Sequence, residues 1–227
     1  MFEKKTILKY LTLCFFAVAL FEVISEYLQD AVLIFSLKPF LSLFLIVIYC
    51  VESKRKNSFF VLALLLSLIT NILFIPNTSD CLHYALIVFT LHRILVVHLV
   101  LRLQKINDFV PVIIATIPFL LIFFYLFMET GEIPERSFYL LILQNILISL
   151  FAGLALSSYV MNDNKQNSVL LIAVLLFVML QFTIFIEKYF LVNEYASILR
   201  PLAMTFNVLA FYSLYKYVII AEKSNHN

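Results

Sequence analysis

Apolar residues form long, nearly continuous runs along the chain, and short polar segments separate these runs. A helix that crosses the hydrocarbon core of a bilayer needs about 20 mostly apolar residues. The spans are predicted to be helices because lipid cannot satisfy backbone groups, and runs such as Leu121-Ile122-Phe123-Phe124 lack the alternation of barrel strands. The pattern predicts eight transmembrane helices, over residues 7–25, 31–51, 58–76, 81–101, 109–128, 137–160, 168–190 and 196–219.

The connections between these runs are short and contain residues that end helices. Polar or Gly- and Pro-containing segments occur at residues 52–57, 76–80, 131–134 and 162–165. Eight helices leave too little of the 227 residues for a soluble domain. We therefore predict an all-α, polytopic integral membrane bundle that forms a single domain over residues 1–227.

Composition supports a membrane protein and excludes several other classes. The chain is 63% hydrophobic and 13% charged, whereas soluble domains are about 45–50% apolar and about 25% charged. A net charge of only +2 does not favour nucleic-acid binding. Cys14, Cys50 and Cys81 lie in or beside apolar runs, as small hydrophobic residues do. The four histidines lack metal-ligand spacing and the two glycines form no phosphate loop, so we predict no metal and no cofactor.

The basic residues predict the orientation of the bundle. Eleven Lys and Arg residues flank the spans on the side of both termini, three lie on the opposite side, and two fall within spans. By the positive-inside rule both termini are cytoplasmic, in a bacterial-type inner (plasma) membrane. Alternatively, the first span is a signal peptide cleaved near Ala17-Val18-Ala19, which would leave the orientation of the other spans unchanged.

Ionisable and amide side chains also occur within the predicted spans. Such residues are costly in lipid and usually mark a functional site. Most of them fall in the outer half of the bundle, so we expect them to line one polar cavity that opens toward the outer side. The residues are Glu22, Lys38, Asn71, His92, Arg93, Gln181, Glu187, Lys188 and Arg200.

Several of these residues also have a purely structural interpretation. Glu22, Glu187, Lys188 and Arg200 lie within about two turns of an interface, where long side chains extend toward water. Such snorkelling would leave them outside any site.

The residues deeper in the bundle have structural alternatives as well. Lys38 would satisfy a backbone carbonyl that Pro39 leaves without its helical partner. His92 would be a core histidine bonded to a neighbouring carbonyl. Arg93 lies near mid-depth and must therefore face protein or water.

The sixth span carries small and polar residues at every fourth position. Such a stripe lets two helices approach closely. We therefore assign Asn145, Ser149, Gly153 and Ser157 to helix packing rather than to chemistry.

Four features resemble a known family. They are Lys38-Pro39, the run LLLSLITNILFI over residues 64–75, His92, and the run LLFVMLQFTIFIEKYF over residues 175–190. With the eight predicted spans, these features resemble the YhhN-like family over nearly the full length. That family includes the lysoplasmalogenases, eight-span enzymes that hydrolyse the vinyl ether bond of lysoplasmalogens. The resemblance implies a membrane lipid or lysolipid as the partner.

The chain departs from the family pattern at its acidic positions. Family members carry Gly-Asp where this chain has Thr70-Asn71, and Ser-Asp where it has Leu180-Gln181. The family's His-x-x-Tyr pattern also fails, because Leu95 stands three residues after His92. The amides can bind polar atoms or hold helices together, but they cannot release a proton at neutral pH.

Vinyl ether hydrolysis needs a general acid, because it begins with protonation of the vinylic carbon. With both family positions occupied by amides, the candidate acids are His92, Glu187 and, third, Glu22. On an ideal α-helix Lys188 returns to the face of Gln181, whereas Glu187 faces elsewhere. We therefore expect an altered site for the family reaction.

Three functional hypotheses follow. The first is a lysoplasmalogenase-type hydrolase with His92 or Glu187 as the acid. The second is a non-catalytic relative that binds a lipid or hydrophobic small molecule, with Lys38, Lys188 and Arg200 on its phosphate. The third, a small transporter or sensor subunit, ranks last because no Gly- or Pro-interrupted helix pair is visible.

Overall fold

The computed structural model describes residues 2–224 except Asn77, Lys105, Asn107, 131–134 and 192–193. Within these residues every regular element is helical, which confirms the all-α prediction. The elements are α1 (Phe2–Leu28), α2 (Ala31–Glu52), α3 (Ser58–Leu73), α4 (Ser79–Leu103), α5 (Val110–Met128), α6 (Glu135–Met161), α7 (Lys165–Phe185), a π-turn (Ile186–Phe190) and α8 (Ala196–Ser224).

Each of these helices overlaps one predicted span, and α3 is shorter than its predicted span. Seven helices of the described chain are long and apolar enough to cross a membrane. The exception is α3, whose 16 residues extend about 24 Å at about 1.5 Å per residue. The predicted third span, 58–76, is too long because Pro76 disfavours helical backbone at the residue before it. The chain is an integral membrane protein.

Side-chain caps define the starts of four helices. Asp30, Asn57, Thr78 and Asn164 each accept a hydrogen bond from a backbone N–H in the first turn of α2, α3, α4 and α7. These N–H groups have no partner within the helix, so a capping oxygen stabilises the start.

A tight turn folds α1 back against α2. Gln29 adopts a positive φ of 55° between the two helices, and Asp30 then caps α2 by accepting hydrogen bonds from Val32 and Leu33. The turn reverses the chain within two residues, and it thereby brings the end of α1 opposite the second turn of α2.

The stripe on α6 packs against α5. A Cβ atom on Gly153 would overlap the side chain of Thr116 and lie 2.8 Å from its backbone nitrogen. Gly153 therefore allows the two backbones to approach closely, which supports the packing interpretation of the stripe.

A polar cluster links α2 to α8 by hydrogen bonds. It lies at the end of the bundle that also holds the cationic segment 54–56. The buried carboxylate of Glu222 accepts hydrogen bonds from Tyr49 at 2.5 Å and Ser53 at 2.7 Å. Beside it, the Tyr215 hydroxyl donates to Glu52. All of these groups have hydrogen-bond partners, so we interpret the cluster as structural. We call it the clasp between α2 and α8.

Candidate functional site

A cavity of about 230 Å³ lies between α1, α2, α3, α4, α7 and α8. Its charged residues lie within about two turns of helix ends. Its apolar residues occur both near helix ends, at Ile34, Phe74 and Ile75, and farther along the helices, at Phe89 and Phe211. Phe211 follows Arg200 by eleven residues on α8, which is about 16 Å along the helix axis. The charged and amide lining residues are Glu26, Gln29, Lys38, Asn71, Glu187, Lys188, Arg200 and Asn207; the larger apolar ones are Ile34, Phe74, Ile75, Phe89, Leu180, Ile184, Met204 and Phe211.

Lys38 pairs with a carboxylate from α1. Its Nζ donates to Glu26 Oε1 at 2.6 Å, and both side chains are largely buried. The tight α1–α2 turn makes this pair possible, because Glu26 precedes the turn and Lys38 follows it. Among the described residues the Lys38 ammonium group donates to Glu26, and no bond to the carbonyl that Pro39 frees is seen there.

A second ionic cluster joins the end of α7 to the start of α8. Glu187 Oε1 accepts from Arg200 Nε at 2.9 Å and lies 3.3 Å from Lys188 Nζ. The Glu187 side chain is only 4% exposed. It therefore does not snorkel toward water but organises the two cations around it.

The π-turn explains why Glu187 and Lys188 both reach the cavity. Leu191 N bonds Ile186 O at 2.9 Å, an i→i+5 bond that widens the helix by one residue. The prediction that Lys188 shares the face of Gln181 is therefore wrong, whereas Glu187 does face a different side from Gln181, as predicted. Gln181 does not line the cavity, whereas Glu187 and Lys188 both do.

Asn71 lies on the cavity wall within a small hydroxyl network. Its Nδ2 donates to Ser42 Oγ at 3.4 Å, and Ser42 lies 3.5 Å from Ser67 Oγ. Thr70, the neighbouring wall residue, bonds back to the carbonyl of Leu66. Asn71 can therefore bind a polar atom of a ligand, but it holds no transferable proton.

Gln181, the other family position, faces the interior instead. Arg93 Nη2 donates to Gln181 Oε1 at 3.5 Å. The Arg93 guanidinium also stacks over Phe89 at 4.8 Å and over Phe177 at 5.5 Å. Arg93 is 1% exposed, which confirms that it faces protein. Its Nε and Nη1 have no hydrogen-bond partner among the described residues.

His92 lies behind the cavity wall. Its ring stacks with Phe89 at 5.9 Å and contacts Phe211 at 5.3 Å. Neither ring nitrogen has a hydrogen-bond partner in the described part of the chain, so the expected bond to a carbonyl is wrong. The structure does not place His92 on the cavity surface.

Glu22 is fully buried at 0% exposure, so the snorkelling interpretation is wrong for it. It lies one helical turn before Glu26 on the same face of α1. Neither of its carboxyl oxygens accepts a hydrogen bond from a described residue. The end of α1 thus carries two buried carboxyl groups, one of which reaches the cavity.

A comparison against family models gives one match that covers most of the chain. The model of the YhhN family matches residues 33–222. The chain belongs to the YhhN family. Comparisons with curated proteins and with solved structures gave no match.

Within this YhhN-family protein, five of the predicted site residues line one cavity. They are Lys38, Asn71, Glu187, Lys188 and Arg200. Sequence reasoning did not single out Glu26 and Asn207. The i, i+4 spacing of Glu22 and Glu26 could have indicated the first, because it places two carboxyl groups on one helix face. No sequence signal indicated Asn207.

The buried Arg93 gives a prediction for this YhhN-family bundle. Gln181→Glu keeps the side-chain length and adds a carboxylate beside Arg93, whose one hydrogen bond among the described residues goes to this amide. We expect about 1–2 kcal/mol of added stability, since hydrogen bonds to charged groups exceed neutral ones. Thermal unfolding of the purified protein in detergent measures the change.

Gln144→Glu is the matched control. Gln144 is also buried, but it bonds Thr90 at 2.8 Å and its Oε1 accepts no hydrogen bond from a described residue, cations included. A carboxylate there would be uncompensated and should lower stability. If both substitutions lower the melting temperature equally, the Arg93–Gln181 interpretation is wrong.

Proposed function

We propose that this YhhN-family protein binds a single-chain ether phospholipid in the cavity and hydrolyses its vinyl ether bond. The observation that carries the proposal is the composition of the cavity wall. Three cations (Lys38, Lys188 and Arg200) and two carboxylates line it near helix ends, and aromatic and aliphatic side chains line it both there and farther along the helices, as far as Phe211. A lysolipid has the matching order of groups, since its phosphate is followed by one hydrocarbon chain.

The three cations suit a phosphate for different reasons. Arg200 presents a guanidinium, which pairs with phosphate in a forked geometry. Lys38 and Lys188 supply compact point charges. The carboxylates of Glu26 and Glu187 hold these cations in place, so the site is ordered before a ligand arrives.

We also propose how the protein lies in the membrane. All eight helices cross the bilayer, with both termini in the cytoplasm of a bacterial-type inner membrane. The short helix α3 is accommodated by local thinning of the bilayer. The cavity then opens toward the outer leaflet, and a lysolipid enters it from there.

Release of fatty aldehyde tests the proposal. Purified protein in lipid nanodiscs is incubated with a lysoplasmalogen, and the matched control substrate is the saturated alkyl-ether lysolipid of equal chain length. We expect aldehyde from the vinyl ether alone. Folded protein that releases no aldehyde would exclude the hydrolase.

The second candidate is a non-catalytic lipid-binding relative. It is favoured by the amides at both family acidic positions, Asn71 and Gln181. In that case the native protein binds the alkyl-ether lysolipid without cleaving the vinyl ether. Asn71→Asp, which returns a carboxyl group to the cavity wall, would then restore hydrolysis.

A further inference from the structure

The end of α1 carries two buried carboxyl groups, and one of them faces the cavity. Glu22 is 0% exposed and Glu26 is 3% exposed. They are four residues apart, so they lie on the same helix face, one turn from each other. Glu26 lines the cavity, and Glu22 lies next to it without reaching the cavity surface.

The hydrogen-bond pattern of the pair is incomplete. Glu26 Oε1 accepts from Lys38 Nζ at 2.6 Å, whereas neither oxygen of Glu22 accepts from any described residue. A buried charge without a partner is costly, and two adjacent carboxylates repel each other. One proton held between the two groups removes both problems, because a protonated carboxyl can donate to its neighbour.

We infer that Glu22 and Glu26 share one proton and that Glu26 delivers it to the vinylic carbon of the bound lysolipid. The inference rests on the proposed function. Glu26 is the catalytic residue, because it lines the cavity. Glu22 is a positioning residue that acts through Glu26.

In the first step, the C=C π electrons bond the proton at the vinylic carbon farther from oxygen. The carbon bonded to oxygen becomes an oxocarbenium ion, and both carboxyl groups are then ionised. Their charge stabilises the cation across the cavity, while Lys38 prevents full charge build-up at the pair. No oxidant or reductant takes part.

In the second step, water adds to the oxocarbenium carbon and returns a proton to Glu26, which restores the shared proton. The product is a hemiacetal. Its carbon–oxygen bond to the glycerol breaks as the hydroxyl proton leaves and the glycerol oxygen gains a proton. The products are a fatty aldehyde and the free glycerophospho-alcohol, so atoms and charges balance.

The other candidate acids are less suitably placed. His92 is behind the wall and does not line the cavity. Glu187 contacts two cations, Arg200 and Lys188, whereas Glu26 pairs with Lys38 and lies one helical turn from the buried Glu22. Asn71 is an amide.

The family match begins at residue 33, so the proposed acid lies on a helix that precedes the matched segment.

Glu26→Gln and Glu22→Gln test the inference, with Glu222→Gln as the matched control. Glu222 is also buried and hydrogen-bonded, but it lies in the clasp at the other end of the bundle. We expect aldehyde release to fall about 100-fold or more in Glu26→Gln, the range of a general acid. Glu22→Gln should lose a large part of the activity, Glu26→Asp should restore part of it, and Glu222→Gln should keep it.

Infrared spectroscopy gives a readout that does not depend on turnover. The carbonyl stretch of a protonated carboxyl in the wild type should shift or vanish in both Glu22→Gln and Glu26→Gln and persist in Glu222→Gln. A band that both substitutions leave unchanged overturns the inference. So does an active wild type whose Glu26→Gln variant keeps at least half its activity. A folded but inactive wild type instead overturns the proposed function, and the delivery step with it.

Discussion

Arg200→Ala is expected to weaken binding of an alkyl-ether lysophospholipid by about 10- to 100-fold. A hydrogen bond to a charged group is worth about 1.5–3 kcal/mol, and every 1.4 kcal/mol is about a tenfold change in affinity. Arg200 lines the cavity and is held by Glu187 at 2.9 Å. Its removal takes one of three cations from the phosphate site and leaves Glu187 with Lys188 beside it.

Titration calorimetry with the non-cleavable lipid measures this loss directly. Arg136→Ala is the matched control, because Arg136 is 82% exposed near the start of α6 and lies 3.8 Å from Asp80. Arg200→Lys should keep part of the affinity, because lysine keeps the positive charge but cannot form the two parallel hydrogen bonds of a guanidinium. Equal affinities for wild type and Arg200→Ala would exclude Arg200 from headgroup binding.

Gly153→Ala is expected to destabilise the bundle by about 1–3 kcal/mol, the usual cost of overpacking a tight contact. The new Cβ would overlap the Thr116 side chain and lie 2.8 Å from the Thr116 nitrogen and 2.9 Å from its Cα. The backbones of α5 and α6 must then separate. Thermal unfolding in detergent reports the loss.

Two further variants show whether the backbone contact is the cause. Ser149→Ala, one turn earlier on the same stripe, should keep the wild-type melting temperature, because its hydroxyl bonds only the Asn145 carbonyl in its own helix. Adding Thr116→Ala to Gly153→Ala should restore little, since the backbone atoms of Thr116 remain. A fully rescued double variant would show that the side chain alone limits the approach.

The helices of this protein could be predicted because lipid leaves the chain few alternatives. An apolar run of sufficient length must be helical in a bilayer, and the polar segments between runs mark the ends. The end of α3 was missed, because the apolar run continues through Phe74 and Ile75 to Pro76, whereas the helix ends at Leu73. The proline changes the backbone without changing the hydropathy.

The pairing of polar side chains could be predicted only in part. Depth along each span indicated that Lys38, Asn71 and Lys188 lie near one end, and they do line one cavity. Their partners depend on the packing of helices, which hydropathy does not encode. The Arg93–Gln181 contact, for example, joins residues 88 positions apart.

The direction in which a side chain points near a helix end could not be derived from ideal α-helix geometry. The π-turn at Ile186–Phe190 adds one residue to a turn, and this changes which side chains point inward. Lys188 was assigned to the face of Gln181 for this reason, although it lines the cavity and Gln181 does not. Nothing in the sequence of the turn distinguishes it from a continuing α-helix.

We propose that a carboxyl group of this protein protonates a bound vinyl ether. The most direct test is mass spectrometry of the products that the wild-type protein forms from a lysoplasmalogen in D₂O. A carboxyl proton exchanges with solvent, so we predict a fatty aldehyde with one deuterium on the carbon next to its carbonyl. Recovery of intact lipid from folded, lipid-bound protein would contradict the claim.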